Sequence, residues 1–345
     1  MMNQTIEVRR EDGGTSQVVI GQVIDRLENY VPNGKKIVVI TDTNVYKCYR
    51  IMIDRFEKII IEPGEEHKTL DTMGQIYSQL IALGADRETF LLGFGGGIVT
   101  DITGFAASTY MRGVRFGFVA TTLLAQVDAS VGGKNGVNRD GYKNMVGTFN
   151  QPEFVLCDLS VLKTLPEREF RAGLSEIFKA GLIRDAGLFE LFEKHTFDDF
   201  YQDENLLHQA ITRAVKVKKA IVDADEKEHG QRKLLNLGHT MAHAIEKSTR
   251  RFEHGEAVAI GLVMIAGLSV KMGLLPAGVR DRIVRVVGNM GLPADSGIPM
   301  DPLFEALKSD KKKDADSVSL ILLRDVADCE IRKMNFEELK QWLFV

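Results

Sequence analysis

Three of the seven histidines in this chain lie close together, in the stretch from Arg232 to Ala257. His239 and His243 are four positions apart in a segment whose apolar residues have helical spacing, so both rings lie on the same helix face. This is the spacing by which a helix offers two imidazoles to one metal ion. His254 follows after a short basic turn. A ligand from the start of a second helix would complete a site of the kind that binds zinc.

The spacing alone leaves two alternatives open. Two histidines four positions apart also occur in ordinary helices that bind no metal. Because His239 and His243 share a face, the spacing also does not decide which of them would be a ligand. The stretch is therefore a candidate site and no more at this point.

A carboxylate that could join the histidines lies in a second helical segment, residues 172–183. Glu176 and Lys179 are three positions apart on one face of this segment. Two histidines and one carboxylate would leave a coordination position open, which is the arrangement of a catalytic zinc rather than a structural one. The alternative is an ordinary solvated carboxylate. Apolar neighbours favour a packed helix instead: Leu174, Ile177, Phe178 and Ala180.

Several cations accompany these segments and a glycine-rich stretch at 126–149, although the chain is acidic overall, with a formal net charge of −4. They are Lys134, Lys143, Lys179, Lys218 and Arg232. Each one alone is most simply a surface charge. Together around a metal, they would suit a substrate that carries phosphate and carboxylate, with arginine favoured for planar two-point recognition.

The elements that must position these residues begin with a series of apolar runs. Residues 35–42, 58–64 and 90–97 have the continuous apolar pattern of buried parallel strands, and a helical stretch at 67–83 separates the last two. Further strands are predicted at 112–122 and 153–159, and two short strands surround a turn near Gly13. Alternating strands and helices predict a parallel α/β sheet, with function at the carboxyl ends of the strands.

A triple glycine, Gly95 to Gly97, ends the run at 90–97 and leads into a helical segment. Bare amides and the positive end of a helix would face an anion such as a pyrophosphate. Ile98 occupies the place of the last glycine of the usual GxGxxG fingerprint, and no acidic residue follows at the usual distance to hold a ribose. Asp42 or Asp101 could take that role. A tight strand-to-helix turn is the alternative interpretation.

The stretch at 126–149 has no regular periodicity, and we interpret it as a long functional loop. After Pro166 the pattern becomes helical, at 172–183, 185–195, 203–223, 237–249, 256–272, 277–291 and 302–309, with extended runs only at 319–324 and 329–334. Length and this change of pattern predict two domains, residues 1–165 and 166–345.

Composition excludes several classes of function. The chain is 44% hydrophobic and 27% charged, with Lys311 to Lys313 as its only notable basic tract, so a nucleic-acid partner is not indicated. The N-terminal residues lack the apolar core of a secretory signal. The longest apolar run, 257–270, is too short to span a bilayer and is predicted to be a buried helix. Three widely spaced cysteines indicate neither a disulfide framework nor a cysteine zinc site. We therefore expect a cytoplasmic protein without a membrane partner.

Beyond these local patterns, the chain resembles the 3-dehydroquinate synthases, within the sugar-phosphate cyclases. The resemblance spans nearly the whole sequence, and its motifs are specific when taken together and in order. They are TDTNV (41–45), PGEEHKT (63–69), GGGIVTD (95–101), YMRGV (110–114), ATT (120–122), VDASVGGKNGVN (127–138), YKNMVGTF (142–149), LKTLPERE (162–169), AGLSEIFK (172–179), DE (225–226), RKLLNLGHTMAHAIE (232–246) and HGEAVAIG (254–261). The GGG-x-x-x-D element is also shared with glycerol-type metal-dependent dehydrogenases.

The resemblance implies an α/β N-terminal domain with a Rossmann-like parallel sheet, and a mainly α-helical, metal-binding C-terminal domain. It implies zinc, with cobalt as a possible substitute, at Glu176, His239 and His254. His243 would then belong to a proton-transfer network rather than to the ligands. The family usually has glycine where this chain has Ala242, the residue immediately before His243.

The resemblance also implies the residues that bind substrate and cofactor. Matching substrate and catalytic positions are Asp128, Lys134, Asn144, Lys179, Lys218, Arg232 and Asn236. Arg112 matches an arginine that reaches the phosphate site of the partner subunit, which implies a homodimer, and Lys312 is favoured over Lys311 as a late phosphate contact. NAD would lie along Asp42, Asn44, Glu65, Lys68, Gly96, Gly97, Asp101, Thr121, Thr122, Lys134, Lys143 and Thr164.

The implied reaction converts 3-deoxy-D-arabino-heptulosonate 7-phosphate to 3-dehydroquinate and phosphate, the second step of the shikimate pathway. In the family, NAD transiently oxidises a ring hydroxyl polarised by the metal, phosphate is eliminated, and the hydride returns before ring opening and an intramolecular aldol. Two rival interpretations are a metal-dependent NAD alcohol dehydrogenase acting on polyols, and an NAD-binding protein without catalysis. The cation cluster argues against the first, and the intact set of Glu176, His239 and His254 argues against the second.

Overall fold

The computed structural model describes residues 3–10, 13–310 and 317–344, and the chain divides after Pro166 into two compact units. The first unit is built on a seven-stranded sheet with the order β1-β2-β9-β6-β5-β3-β4. Its strands are β1 Gln4–Arg9, β2 Thr15–Gly21, β3 Ile37–Asp42, β4 Glu57–Ile61, β5 Phe90–Gly95, β6 Phe116–Ala120 and β9 Phe154–Asp158. Only β1 and β2 pair antiparallel, and the other pairs are parallel. The predicted parallel α/β sheet is confirmed.

The central strands form because both of their faces are covered. All residues of β5, β6 and β9 are buried, which explains why their sequences are continuous apolar runs rather than alternating ones. Three helices accompany the sheet: α1 Thr43–Ile53, α2 Leu70–Ala82 and α3 Gly97–Thr109. Because neighbouring strands are parallel, their carboxyl ends meet at one edge of the sheet. The ends of β3, β5 and β6 and the turns that follow them carry some of the predicted site residues of this unit, among them Asp42, Gly96 and Thr121.

The prediction of a long loop at 126–149 is wrong. A π-helical turn at Ala125–Ala129 is followed by a hairpin of β7 Lys134–Arg139 and β8 Tyr142–Phe149. Most of β8 is exposed, so its sequence has no buried face to give an alternating pattern. These strands also contain glycine and asparagine, which are uncommon in strands and ordinarily indicate loops.

The second unit is mainly helical, as predicted. Its helices are α4 Glu167–Arg184, α5 Ala186–Lys194, α6 Phe197–Gln202, α7 Glu204–Ala224, α8 His239–Ser248, α9 His254–Lys271, α10 Ala277–Asn289, α11 Met300–Asp310 and α12 Phe336–Leu343. A two-stranded antiparallel sheet of β10 Ser317–Asp325 and β11 Asp328–Asn335 confirms the two late extended runs. Among these elements, α6 and α12 were not predicted.

The apolar run at 257–270 lies within α9, which is long and apolar enough to cross a membrane by length and composition alone. However, 61% of its residues are buried inside the protein. A helix covered in this way is the core helix of its unit, and α4 and α8 pack against it. The predicted buried helix is confirmed.

Candidate functional site

Three helices of the second unit bring Glu176, His239 and His254 together. Glu176 lies in the middle of α4, while His239 and His254 are the first residues of α8 and α9. Glu176 Oε1 is 3.6 Å from His239 Nε2 and 3.7 Å from His254 Nε2. One ligand atom from each residue lies within 4.8 Å of the others. Residues that are far apart in the chain thus present one oxygen and two nitrogens to the same point.

Glycines allow these helices to approach closely. A Cβ atom on Gly255, the second residue of α9, would clash with the carbonyl oxygen of Ala172 on α4. A Cβ on Gly261 would clash with the carbonyl oxygen of Gly238, which itself has φ +78° and caps the start of α8. The backbone of α9 therefore contacts both neighbours directly. This close packing places His254, the first residue of α9, beside Glu176.

Both ligand-like imidazoles are oriented through their other ring nitrogen. His239 Nδ1 lies 3.2 Å from the carbonyl oxygen of Leu237, and His254 Nδ1 lies 3.1 Å from Glu246 Oε1. A proton on each Nδ1 can be donated to these acceptors, which leaves the lone pair of Nε2 directed at Glu176. Hydrogen bonds of this kind fix the tautomer of metal-binding histidines. The helical sequence alone gave no signal for Glu246, since its partner lies on the next helix.

The donor set fits a divalent metal ion. Glu176 is 3% exposed, and neither of its carboxylate oxygens makes a hydrogen bond among the described residues, although Lys179 Nζ forms an ion pair with Oε2. A carboxylate buried beside two imidazoles normally coordinates a metal or is otherwise compensated. His243 lies beside this group, with its ring centroid 5.8 Å from that of His239, but it is not part of it.

The cations of the second unit are not surface charges. Lys179 is 3%, Lys218 8% and Arg232 2% exposed. Buried lysine and arginine are rare unless something compensates their charge. The general assumption of a surface charge is therefore wrong for these three residues. These cations also have contacts of their own: Lys179 pairs with Glu176, and Arg232 donates to the carbonyl oxygen of Glu226.

Arg232 lies in a 3-10 helix, Gln231–Asn236. The Asp225 carboxylate accepts hydrogen bonds from the backbone amides of Arg232, Gly230 and His229, at 3.0, 2.7 and 2.9 Å. The bond from the Arg232 amide is the main cause that holds the pKa of Asp225 below its usual value. Arg232 Nη1 also donates to the carbonyl oxygen of Glu226. Asn236 is the last residue of the same 3-10 helix. Its side chain donates to Glu228 Oε1 at 2.7 Å, a contact that sequence reasoning did not anticipate.

In the first unit, a buried lysine joins two other predicted residues. Lys68 is 4% exposed, and its ammonium group donates to Asn144 Oδ1 at 2.6 Å and to Asp101 Oδ2. Asp101 lies on α3, which begins at the last residue of the triple glycine, and Asn144 lies on β8 with φ +53°. Glu65 is held at the preceding 3-10 turn by Asn138, whose side chain donates to Glu65 Oε1 at 2.8 Å.

The turn after β5 fits a group that needs close contact with backbone. Gly96 caps α3 without a side chain, and a Cβ on it would lie 2.9 Å from the methyl group of Thr122. Thr121 Oγ1 nearby is buried and has no hydrogen-bond partner among the described residues. A helix N-terminus beside bare glycine backbone favours an anion. These features fit the diphosphate of a nucleotide.

The remaining predicted residues are spread over the first unit. Asp42 caps α1, accepting from the amides of Asn44 and Val45 at 2.8 and 3.0 Å. Thr164 Oγ1 lies 2.7 Å from the hydroxyl of Tyr49. Gly97 starts α3, Asp128 lies in the π-helical turn, Lys134 and Lys143 are exposed on the hairpin, and Arg112 is exposed with φ +70°. Lys311 and Lys312 lie outside the described residues.

Comparisons with known proteins agree with one another. The family model described as "3-dehydroquinate synthase N-terminal" matches residues 58–172, and "3-dehydroquinate synthase C-terminal" matches residues 173–313. A curated 3-dehydroquinate synthase from Leptospira interrogans is 42% identical over 85% of this chain and 84% of its own. The 2-epi-5-epi-valiolone synthase from Streptomyces hygroscopicus, solved with NAD+ and Zn2+ bound, has a TM-score of 0.88 at 27% identity, covering 98% of both chains.

A second solved structure is similar over its whole length. It is a 2-deoxy-scyllo-inosose synthase complexed with carbaglucose-6-phosphate, NAD+ and Co2+. Its TM-score is 0.84 at 27% identity, and the match covers 99% of both chains.

Proposed function

The chain belongs to the 3-dehydroquinate synthase family, and from this we infer that it converts 3-deoxy-D-arabino-heptulosonate 7-phosphate to 3-dehydroquinate and inorganic phosphate. It would act as a carbon–oxygen lyase in the shikimate pathway. One observation of the structure supports this inference best: the candidate metal ligands Glu176, His239 and His254 lie in the same unit as three buried cations. A phosphorylated carboxylic acid needs such cations, whereas a neutral polyol does not.

We assign the metal to Glu176, His239 and His254, with zinc as the expected ion and cobalt as an alternative. We assign NAD to the first unit, at the turn after β5 and the residues predicted around it. When bound, the metal supplies Lewis-acid polarisation of a substrate hydroxyl, and NAD supplies reversible hydride acceptance. NAD-bound and metal-bound structures of similar chains support both assignments.

The chain's own cations would bind and orient the substrate. Arg232 presents a planar guanidinium suited to a carboxylate, and Lys179 and Asn236 would complete the contacts to the carboxylate-bearing end. Lysines, among them Lys134 and Lys218, would bind the phosphate and stabilise the negative charge that develops as it leaves. Because Lys179, Lys218 and Arg232 are buried in the second unit before substrate arrives, these three side chains need little reorganisation during the reaction.

His243 would hold and transfer a proton through its imidazole. It lies beside His239 but outside the ligand group, and an imidazole in this place can act as a general acid and base. Asp128, Asn144 and Lys312 would complete the substrate contacts. Their roles rest on the family resemblance.

The proposed reaction has a simple balance. Hydride leaves and then returns to the same substrate molecule, so NADH does not accumulate. Elimination breaks one carbon–oxygen bond and releases inorganic phosphate, and the following aldol forms one carbon–carbon bond within the product. A dehydrogenase acting on polyols would instead produce one NADH for each turnover.

The test compares two substrates on the purified full chain with added NAD and zinc. With heptulosonate 7-phosphate, we expect inorganic phosphate without a lasting rise in absorbance from NADH. With glycerol and related polyols, we expect neither. NADH that accumulates on a polyol, without phosphate release from the heptulosonate, would contradict the proposal and favour a dehydrogenase.

We also propose that the protein is a cytoplasmic homodimer in which Arg112 of one subunit serves the phosphate site of the other. The left-handed backbone at Arg112 and the exposed Met111 beside it are compatible with a contact of this kind. Light scattering should give twice the chain mass. Mixing inactive Arg112→Ala protein with inactive Glu176→Gln protein should restore part of the activity, and failure to do so would contradict the sharing of Arg112.

A further inference from the structure

Asn138 lies at an irregularity in the β7–β8 hairpin. Val137 pairs with Val146 and Arg139 pairs with Tyr142, so the register shifts at Asn138, and a single residue of β7 stands opposite a longer stretch of β8. Irregularities of this kind redirect a side chain and the local backbone, and they are common beside functional sites. At Asn138 the backbone forms a bridge outside the hairpin instead.

The backbone bridge connects Asn138 to the segment that carries Lys68. The Asn138 amide donates to the carbonyl oxygen of Lys68 at 2.8 Å, and Asn138 forms an isolated parallel bridge with Thr69. The hairpin is thereby attached to the segment after the 3-10 turn Glu65–His67. This attachment involves main chain only, so it does not depend on which side chain is present at 138.

The side chain of Asn138 makes contacts of both hydrogen-bonding types. Its Nδ2 donates to Glu65 Oε1 at 2.8 Å and to the Glu65 carbonyl oxygen at 3.3 Å. Its Oδ1 accepts from the backbone amide of Asn144 at 2.8 Å. Asn144 has φ +53°, a conformation that few residues adopt without local support, and the bond from its amide supplies such support. Asn144 Oδ1 in turn accepts from the buried Lys68 ammonium group.

From these contacts we propose that Asn138 is a positioning residue of the nucleotide and substrate site, which holds Glu65, Asn144 and, through Asn144, Lys68 in one fixed arrangement. The proposal rests on the proposed function, since it is that function which gives Glu65, Lys68 and Asn144 their roles. An amide suits this position because it donates from Nδ2 to Glu65 and accepts at Oδ1 from Asn144, on two separate atoms. A carboxylate could still accept from Asn144, but it would place a negative oxygen against the Glu65 carboxylate.

The test replaces the donor at position 138 with an acceptor, and then supplies a new donor at position 65. In the full-length protein freed of nucleotide, Asn138→Asp should weaken NAD binding about tenfold, the effect of losing a hydrogen bond to a charged group and gaining a repulsion. Glu65→Gln restores a donor opposite the new carboxylate, with the polarity of the bond reversed. In that background the same Asn138→Asp change should weaken binding by less than about threefold.

Asn150→Asp is the matched control in the same hairpin region. Asn150 Nδ2 donates to Ser108 Oγ at 3.0 Å, and the Ser108 hydroxyl, which donates to the carbonyl oxygen of Gly104, can rotate to donate to a carboxylate at position 150 instead. NAD binding by this variant should stay within about twofold of the wild type. All variants are compared for circular dichroism and for metal content, which belongs to the other unit.

The outcomes separate the two claims. Equal losses from Asn138→Asp with Glu65 and with Glu65→Gln would overturn the positioning role, because a merely structural role predicts no coupling between the two side chains. Unchanged NAD binding by Asn138→Asp would overturn it as well. A wild-type protein that binds metal but no NAD would instead contradict the proposed function, and with it the site that Asn138 is proposed to position.

Discussion

At the scale of single residues, the sequence predicted which types of side chain form the candidate metal site, but not which of the three histidines take part. Glu176 and the histidines could be chosen as candidates from spacing and residue type. The choice of His254 over His243 could not, because His239 and His243 share a helix face and both satisfy the local pattern. That choice depends on where α4 and α9 lie, which is a property of tertiary packing.

Glu246 is a residue whose effect can be measured through the metal alone. Its carboxylate lies 3.1 Å from His254 Nδ1, so it orients the ring and raises the basicity of Nε2. We expect Glu246→Gln to weaken metal binding by about tenfold or more. The measurement is competition between the protein and a chromogenic chelator for zinc.

Glu253→Gln is the control for Glu246. It removes a carboxylate one position from His254, but Glu253 caps α9 and pairs with Arg168 instead. Its metal affinity should remain close to that of the wild type. Equal losses in both variants would show that net charge, rather than the contact with the imidazole, sets the affinity.

Asp225 gives a prediction about pH. Hydrogen bonds from the backbone amides of Arg232, Gly230 and His229 lower its pKa in the folded protein. A carboxyl group with a lowered pKa stabilises the folded state above its unfolded pKa, and this contribution is lost as the pH falls through the folded pKa. The difference in urea midpoint between wild type and Asp225→Asn should therefore be larger at about pH 7 than at about pH 3.5.

Asp281→Asn serves as a control for that measurement, because Asp281 is exposed on α10 and pairs with the neighbouring Arg280. Its urea midpoint should differ little from the wild type at either pH. A difference for Asp225→Asn that is constant across the pH range would contradict the role given to its carboxylate.

At the scale of elements, strands and helices could be predicted where burial imposes a period, and not elsewhere. β5 and β9 are buried throughout and were found as apolar runs. α1 was missed because Ile53 is its only buried residue and its start depends on the Asp42 cap. β8 was missed because it is mostly exposed, and β7 because its buried residues, Asn135, Gly136 and Val137, are consecutive and two of them are not apolar.

The close packing of α9 can be tested with two glycines of the same helix. Gly255→Ala would place a Cβ against the backbone of Ala172, where neither atom can move away easily, and we expect a destabilisation of about 1–3 kcal/mol or more. Because His254 precedes this position, metal binding should weaken as well. Urea unfolding and metal competition are the measurements.

Gly267→Ala is the control, since nothing lies within 4 Å of a Cβ at that position. Alanine favours helix over glycine, so this variant should be as stable as the wild type or more stable by about 0.5–1 kcal/mol. Similar destabilisation by both changes would contradict the claim that α9 packs on α4 through Gly255.

At the scale of the whole molecule, the parallel sheet and the helical second unit followed from the change of sequence pattern near Pro166. The pattern of apolar runs fixes how many faces a strand buries, and so the class of sheet. The pattern of apolar runs does not determine which acidic and cationic side chains are buried or come into contact. Burial of Lys179, Lys218 and Arg232 shows this well, because a charged residue in an ordinary sequence is expected on the surface.

The most direct test of the account is the release of inorganic phosphate per molecule of NAD. The full chain is supplied with excess heptulosonate 7-phosphate and a small, known amount of NAD, with and without a metal chelator. We expect many phosphates for each NAD, no accumulating NADH, loss of activity with chelator, and recovery with added zinc or cobalt. Glu176→Gln should not recover. Phosphate release that is insensitive to chelation, or limited to one turnover per NAD, would contradict the account.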